Sequence, residues 1–81
     1  MYVVLGFRIG TWTTESGEVR PTRKIYLGQE FQAKPGEISS GVRAYEFSLV
    51  GEDVIAGIAV GDKVNVFFDQ YKRVSMIQPM Y

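Results

Sequence analysis

The sequence predicts an all-β fold, a small five-stranded barrel with a short helix or loop between strands 3 and 4. Three observations lead there. Side chains alternate between apolar and other types over residues 2–13, the period of a half-buried strand. Further β-prone runs follow at 19–27, 42–50, 63–69 and 73–79, separated by Ser-Gly, Pro-Gly and Gly-Asp turn signals. Finally, 81 residues suffice for one core and one domain, spanning 1–81. A chain of this size buries roughly 60% of its unfolded surface, and a hydrophobic share of 46% is enough to fill such a core.

In the first strand Val3, Leu5, Phe7 and Ile9 share one face, expected to meet the core. Tyr2, Val4, Gly6, Arg8, Gly10 and Trp12 share the other. Gly6 and Gly10 mark strand curvature, or the close approach of a ligand. Glu15-Ser16-Gly17-Glu18 is a turn, because Ser-Gly supplies a residue tolerant of positive φ. The return strand, 19–27, puts Arg20, Thr22, Lys24 and Tyr26 on one face and Val19, Arg23, Ile25 and Leu27 on the other. Pro21 cannot donate to a ladder, so this part of the strand is an edge or projects beyond the sheet.

Residues 28–41 are rich in turn formers and are expected to form a long loop, sharpest at Pro35-Gly36, with Phe31 and Ile38 pinning it to the body. In the third strand Tyr45, Phe47 and Leu49 oppose Ala44, Glu46 and Ser48. Glu52-Asp53 ahead of Val54, Ile55 and Ile58 suggests one or two turns of helix, although Gly57 makes a packed loop a close alternative. The closing hairpin has Val64, Val66 and Phe68 inward on one strand. A tight turn at 69–72 follows, and in the last strand Val74 and Met76 lie opposite Arg73 and Ile77.

Three strands, a helical connection and a two-stranded hairpin form the chain order of the OB-fold, a partly open five-stranded barrel. An SH3-like barrel has a similar strand count and usually lacks a helix at that point.

Nine basic and nine acidic residues leave the chain neutral, so bulk charge gives no argument for a polyanionic partner; only its distribution can. Residues 8–24 carry Arg8, Arg20, Arg23 and Lys24 against Glu15 and Glu18. Trp12 and Tyr26 flank those cations, and Tyr71, Lys72 and Arg73 form a second basic-aromatic corner. Cations that track phosphates beside rings that stack bases are what non-specific single-strand binding requires. The candidate nucleic-acid-binding residues are therefore Arg8, Trp12, Arg20, Arg23, Lys24, Tyr26, Tyr71 and Arg73. The competing reading makes the cations a solvated face. In it Trp12 and Tyr26 are packing residues.

The run Trp12-Thr13-Thr14, Ser16-Gly17, then Arg20, Lys24, Tyr26 and Leu27 resembles the DNA-binding wing of the single-stranded DNA-binding, helix-destabilising proteins of filamentous phages. Residues 60–66 and the closing Arg73-Val74, Met76-Ile77 and Pro79 are similar in layout to that family's final hairpin. The resemblance implies an OB-like barrel, a homodimer and single-stranded DNA as partner, in the service of DNA replication in a phage, plasmid or other mobile element.

No enzyme is expected. The sequence has neither cysteine nor histidine, which removes thiolate and imidazole chemistry. Phosphate loops, nucleophile elbows and metal-ligand spacings are missing as well. Glu52 and Asp53 read as helix-start residues rather than a catalytic pair. No catalytic residue, metal, cofactor or small-molecule substrate is inferred. The first residues lack a basic leader and no apolar run is long enough to span a bilayer, so the expectation is a cytoplasmic protein without a membrane partner. The alternative function is a small β-barrel interaction module, or a structural component of a phage or secretion assembly.

Overall fold

The computed structural model describes residues 1–31 and 34–80. Five strands form one antiparallel sheet: β1 (Tyr2–Thr13), β2 (Val19–Glu30), β3 (Val42–Ser48), β4 (Lys63–Phe68) and β5 (Val74–Pro79). Their order across the sheet is β3-β2-β1-β4-β5. A single turn of 3-10 helix, Glu52–Ile55, occupies the β3–β4 connection and stops before Gly57, whose φ of 78° cannot continue it. The all-β class and the strand count agree with the sequence.

The word barrel holds only loosely. The two edge strands, β3 and β5, meet through one isolated parallel bridge, Leu49 to Val74, with Val50 N–H donating to the Val74 carbonyl at 3.1 Å. The sheet curls far enough to enclose a core without closing by a ladder. That core holds Val4, Ile25, Leu27, Leu49, Ile58, Val64, Val74 and Ile77. An aromatic row lines one side of it, Tyr2 edge-on to Tyr45, Tyr45 stacked on Phe47, and Phe47 edge-on to Phe68.

β1 departs from simple alternation. Its register with β2 runs Val3–Gly28 and Val4–Leu27, then resumes at Gly6–Tyr26, so Leu5 is an extra, bulged residue. The bulge reverses the phase. Val4 is the buried residue, while Val3 and Leu5 lie on the outer face around Gly28. Beyond the bulge Phe7 and Ile9 join the face of Val4 and Ile25, yet they remain 38% and 37% exposed because β4, which flanks β1 only at Tyr2 and Val3, no longer lies beside it there. The expectation that Val3, Leu5, Phe7 and Ile9 meet the core together is thus corrected. A second irregularity at Phe67/Phe68 does the same to β5: Val74 and Ile77 are buried together and Met76 is exposed.

β2 runs to Glu30, three residues further than expected, so Gly28, Gln29 and Glu30 belong to the sheet. The connection to β3 is correspondingly shorter. It turns at Pro35-Gly36, where Gly36 has φ 78° and Glu37 N–H donates to the Lys34 carbonyl at 3.0 Å. Gln32 and Ala33 of the expected loop lie outside the described residues. Ile38 is fully exposed and pins nothing, which corrects that expectation; Phe31 is also exposed.

β1 and β2 together outrun the rest of the sheet. β3 ends at Ser48, opposite Lys24, and β4 pairs with β1 only at Tyr2 and Val3. The outer part of the hairpin is therefore a two-stranded arm, consistent with a longest dimension of 52 Å against 30 and 25 Å.

Candidate nucleic-acid interface

The hairpin closes through Thr14, whose N–H donates to the Glu18 carbonyl at 2.8 Å and whose carbonyl accepts from Gly17 N–H at 2.9 Å. Gly17 takes the positive φ of 88° that this turn requires. The tip fixes the register below it: Trp12 opposite Arg20, Gly10 opposite Thr22, Arg8 opposite Lys24 and Gly6 opposite Tyr26. Directly opposed residues share a sheet face, so five of the eight candidate residues form one patch on the outer face. Rows two residues apart repeat at roughly 6.8 Å along the strands. Gly6 and Gly10 leave open space, with nothing within 4 Å of where a Cβ would stand.

Trp12 is 52% exposed, so its indole is not part of the core. Tyr26 is half-buried between Gly6 and Glu46. Lys24 Nζ donates to Ser48 Oγ at 2.9 Å and stands 4.0 Å from Glu46 Oε1. Arg20 Nη2 donates to Glu18 Oε2 at 2.8 Å. Both partners of that pair are exposed, so it contributes little. Among the described residues Arg8 has no ion-pair partner within 4.0 Å.

Arg23 departs from this patch. It alternates onto the opposite face, beside Ile9, and its Nε is buried without a hydrogen-bond partner among the described residues. It still reaches the margin of the patch. A groove of about 370 Å³, lined by Trp12, Pro21, Thr22, Arg23, Lys24, Ser48 and Leu49, opens where β3 ends beside β2. Pro21 suits this place: the Arg23 carbonyl accepts from Leu49 N–H at 3.0 Å on the β3 side, and Pro21, two residues away, faces the same side with no N–H to leave unpaired.

Tyr71 and Arg73 sit in the β4–β5 turn. Asp69 Oδ1 accepts from the backbone N–H of Tyr71 and of Arg73, each at 2.9 Å, and Oδ2 accepts from Arg73 Nε at 2.9 Å. The Arg73 guanidinium lies 5.3 Å from the Tyr71 ring centre. Withdrawal from water pushes the Asp69 carboxyl up, but the two backbone donors and the guanidinium outweigh it and hold it below its usual range. Since Leu49 lines the groove and bridges Val74, this corner stands beside the groove.

Two participants have no signal in the sequence: Ser48, which holds the Lys24 ammonium, and Asp69, which orients Arg73. A larger cleft, about 480 Å³, lies at the far end between Gln29, Phe31, Lys34, Glu37, Arg43 and Tyr45. Its carboxylates Glu30 and Glu37 balance Lys34 and Arg43, so it does not suit a polyanion. Among the described residues no cluster of three or more carboxylates could hold a metal ion, and no helix is long and apolar enough to cross a membrane.

Set against known proteins, the chain matches no family model, no curated protein and no solved structure. Function is therefore argued from the site.

Proposed function

We propose that this is a non-enzymatic protein that binds single-stranded DNA without sequence preference through the outer face of the β1–β2 arm, holding unpaired strands open. The observation that carries the reading is Arg8 directly opposite Lys24 at the base of the two-stranded extension, with Trp12 on one side and Tyr26 on the other. Cations at that spacing follow a phosphate backbone, and exposed rings offer stacking platforms to bases of any sequence. Duplex bases are already stacked on one another, so rings of this kind favour unpaired strands. The neutrality of the whole chain fits a local track rather than a basic surface.

Binding of labelled poly(dT) to the full chain at 50 and 200 mM salt tests this. Three phosphate contacts, from Arg8, Arg20 and Lys24, give a slope of about −2 in log K against log salt, a loss of roughly 20-fold between the two conditions. Absence of binding at 50 mM, or binding insensitive to salt, overturns the proposal. Poly(U) measured in parallel separates DNA from RNA preference.

A second reading, a module that docks a protein partner, draws on Phe67 and Met76, exposed and directly cross-strand on the outer face of β4 and β5. It predicts salt-insensitive capture of a partner that is lost on Phe67→Ser.

A further inference from the structure

Where β3 ends, the edge of β2 keeps backbone groups that nothing takes up. Lys24 opposite Ser48 is the last pair of that ladder, so Arg23 and Leu49 come next, in a hydrogen-bonded register. Such a pair exchanges two bonds, and only one forms here, Leu49 N–H to the Arg23 carbonyl at 3.0 Å. Leu49 turns away to bridge Val74, and Val50 N–H follows it to the Val74 carbonyl at 3.1 Å. The Arg23 N–H is left facing the β3 side without an acceptor among the described residues. Two residues out, the Pro21 carbonyl faces the same side, beyond the last residue of β3.

Arg23 has a second unmet donor, its Nε, which is closed to water and has no partner among the described residues. A donor withdrawn from water and left unpaired costs free energy, which a ligand bringing the acceptor recovers. Both residues line the groove of about 370 Å³, with Trp12, Thr22, Lys24, Ser48 and Leu49. That volume is at the small end of ligand pockets, room for one flat ring system. Leu49 and Pro21 supply apolar wall, and the half-exposed Trp12 indole supplies a stacking face. Trp12 and Lys24 belong also to the outer-face track, so the groove opens directly off it.

We propose that this groove is a slot for a single nucleobase unstacked from the bound strand, and that it prefers thymine. The slot rests on the DNA-binding reading of the arm, whose track stays indifferent to sequence, and adds a preference at one nucleotide. The occupant follows from the balance of donors. Arg23 N–H, Arg23 Nε and the Lys24 ammonium donate, and the Pro21 carbonyl accepts. Ser48 Oγ already accepts from Lys24 at 2.9 Å, which leaves its O–H to donate. The Watson–Crick edge of thymine is the complement, two carbonyl oxygens flanking one N–H. Cytosine and adenine put an amino group against a slot that itself donates. Guanine brings two donors to a single backbone acceptor and is the larger base. Uracil shares the edge of thymine, so the slot does not tell DNA from RNA.

Binding of the full chain to poly(dT) and poly(dC) in 50 mM salt at pH 8 reads the preference. Poly(dT) should bind about fivefold more tightly, the worth of one net hydrogen bond. Oligothymidylate methylated at N3 separates hydrogen bonding from stacking, because the methyl removes the N–H and leaves the ring. It should bind no better than poly(dC). Arg23→Met removes the guanidinium, which makes none of the three phosphate contacts, and should narrow the ratio while the salt slope stays unchanged. Equal affinity for the two polymers, full affinity for the methylated chain, or an unmoved ratio in Arg23→Met overturns the slot and leaves the DNA-binding reading standing. Failure of both polymers to bind overturns the two together.

Discussion

Arg8 and Lys24 are direct cross-strand partners on the outer face of the β1–β2 arm, two like charges with open glycine positions beside them. Opposed like charges destabilise an antiparallel pair. Ser48 and Glu46 steady only the lysine. The free protein thus carries an electrostatic cost at this pair, one that a phosphate bound there would relieve.

Replacing Arg8 by Thr separates a binding site from a solvated face. Removing the repulsion and adding a β-branched residue should stabilise the free protein by about 0.2–1 kcal/mol. The same change should weaken poly(dT) binding and reduce the salt slope by about 0.7, the share of one phosphate contact. Thermal melts and fluorescence titrations check the two effects. A more stable variant with unchanged affinity would mean that the phosphates run elsewhere.

Trp12 is the sole tryptophan, so its emission reports on the site directly. Addition of poly(dT) should quench it. Trp12→Ala should cost about 1–3 kcal/mol of binding, roughly 5- to 150-fold in affinity, while Trp12→Phe retains most of it. Because half of the indole is already in water, the melting temperature of the alanine variant should change little.

The arm ends in a charge of the wrong sign for DNA. Glu15 is exposed at the tip, and the nearby Glu18 is already engaged by Arg20. Glu15→Lys should therefore tighten poly(dT) binding severalfold at 50 mM salt and lose the gain at high salt, where exposed charges are screened.

Asp69 gives the protein an acid-sensitive turn. Its carboxyl titrates below the ordinary 3.8 in the folded state because it accepts from Tyr71, the Arg73 backbone and the Arg73 guanidinium. A folded-state value below the unfolded one means stability that is fully present above about pH 4 and is lost as pH falls through the folded value. Asp69→Asn should lower the melting temperature at pH 7 and flatten its dependence on pH below 4. A wild-type curve that is already flat there would exclude this contribution.

Which parts of this structure are legible in the sequence follows from how far each feature reaches along the chain. The faces of β2, the Ser-Gly tip, the Pro35-Gly36 turn and the edge at Pro21 depend on residues within a few positions, and all are readable. The phase of β1 is not, because the bulge at Leu5 exists only relative to Leu27 and Tyr26 on another strand. The same holds for Met76 and Ile77, exchanged by the irregularity opposite Phe67. In the site, the cations and rings are visible one strand at a time. That Arg23 turns away from Lys24 is already written in the alternation of β2, whereas that Arg8 faces Lys24 and that Ser48 holds Lys24 are facts of pairing, which no local pattern records.

Gly28 illustrates the difference, and its replacement makes a sharp test. In the sequence it reads as the start of a loop; in the structure it lies within β2 between Val3 and Ala44. A Cβ there would stand 2.9 Å from Val42 Cγ2, 3.1 Å from Val3 Cγ1 and 3.3 Å from Leu5 Cδ1. Valines have few rotamers to retreat into, so the two flanking walls are stiff. Gly28→Ala should therefore destabilise the protein by about 1–3 kcal/mol in urea unfolding, the usual cost of overpacking. Val42→Ala in the same chain removes the nearest clash and should recover most of that loss, which a backbone effect at residue 28 would not permit. Poly(dT) affinity should stay as it was in both variants, because the Arg8–Lys24 row lies further out along the arm.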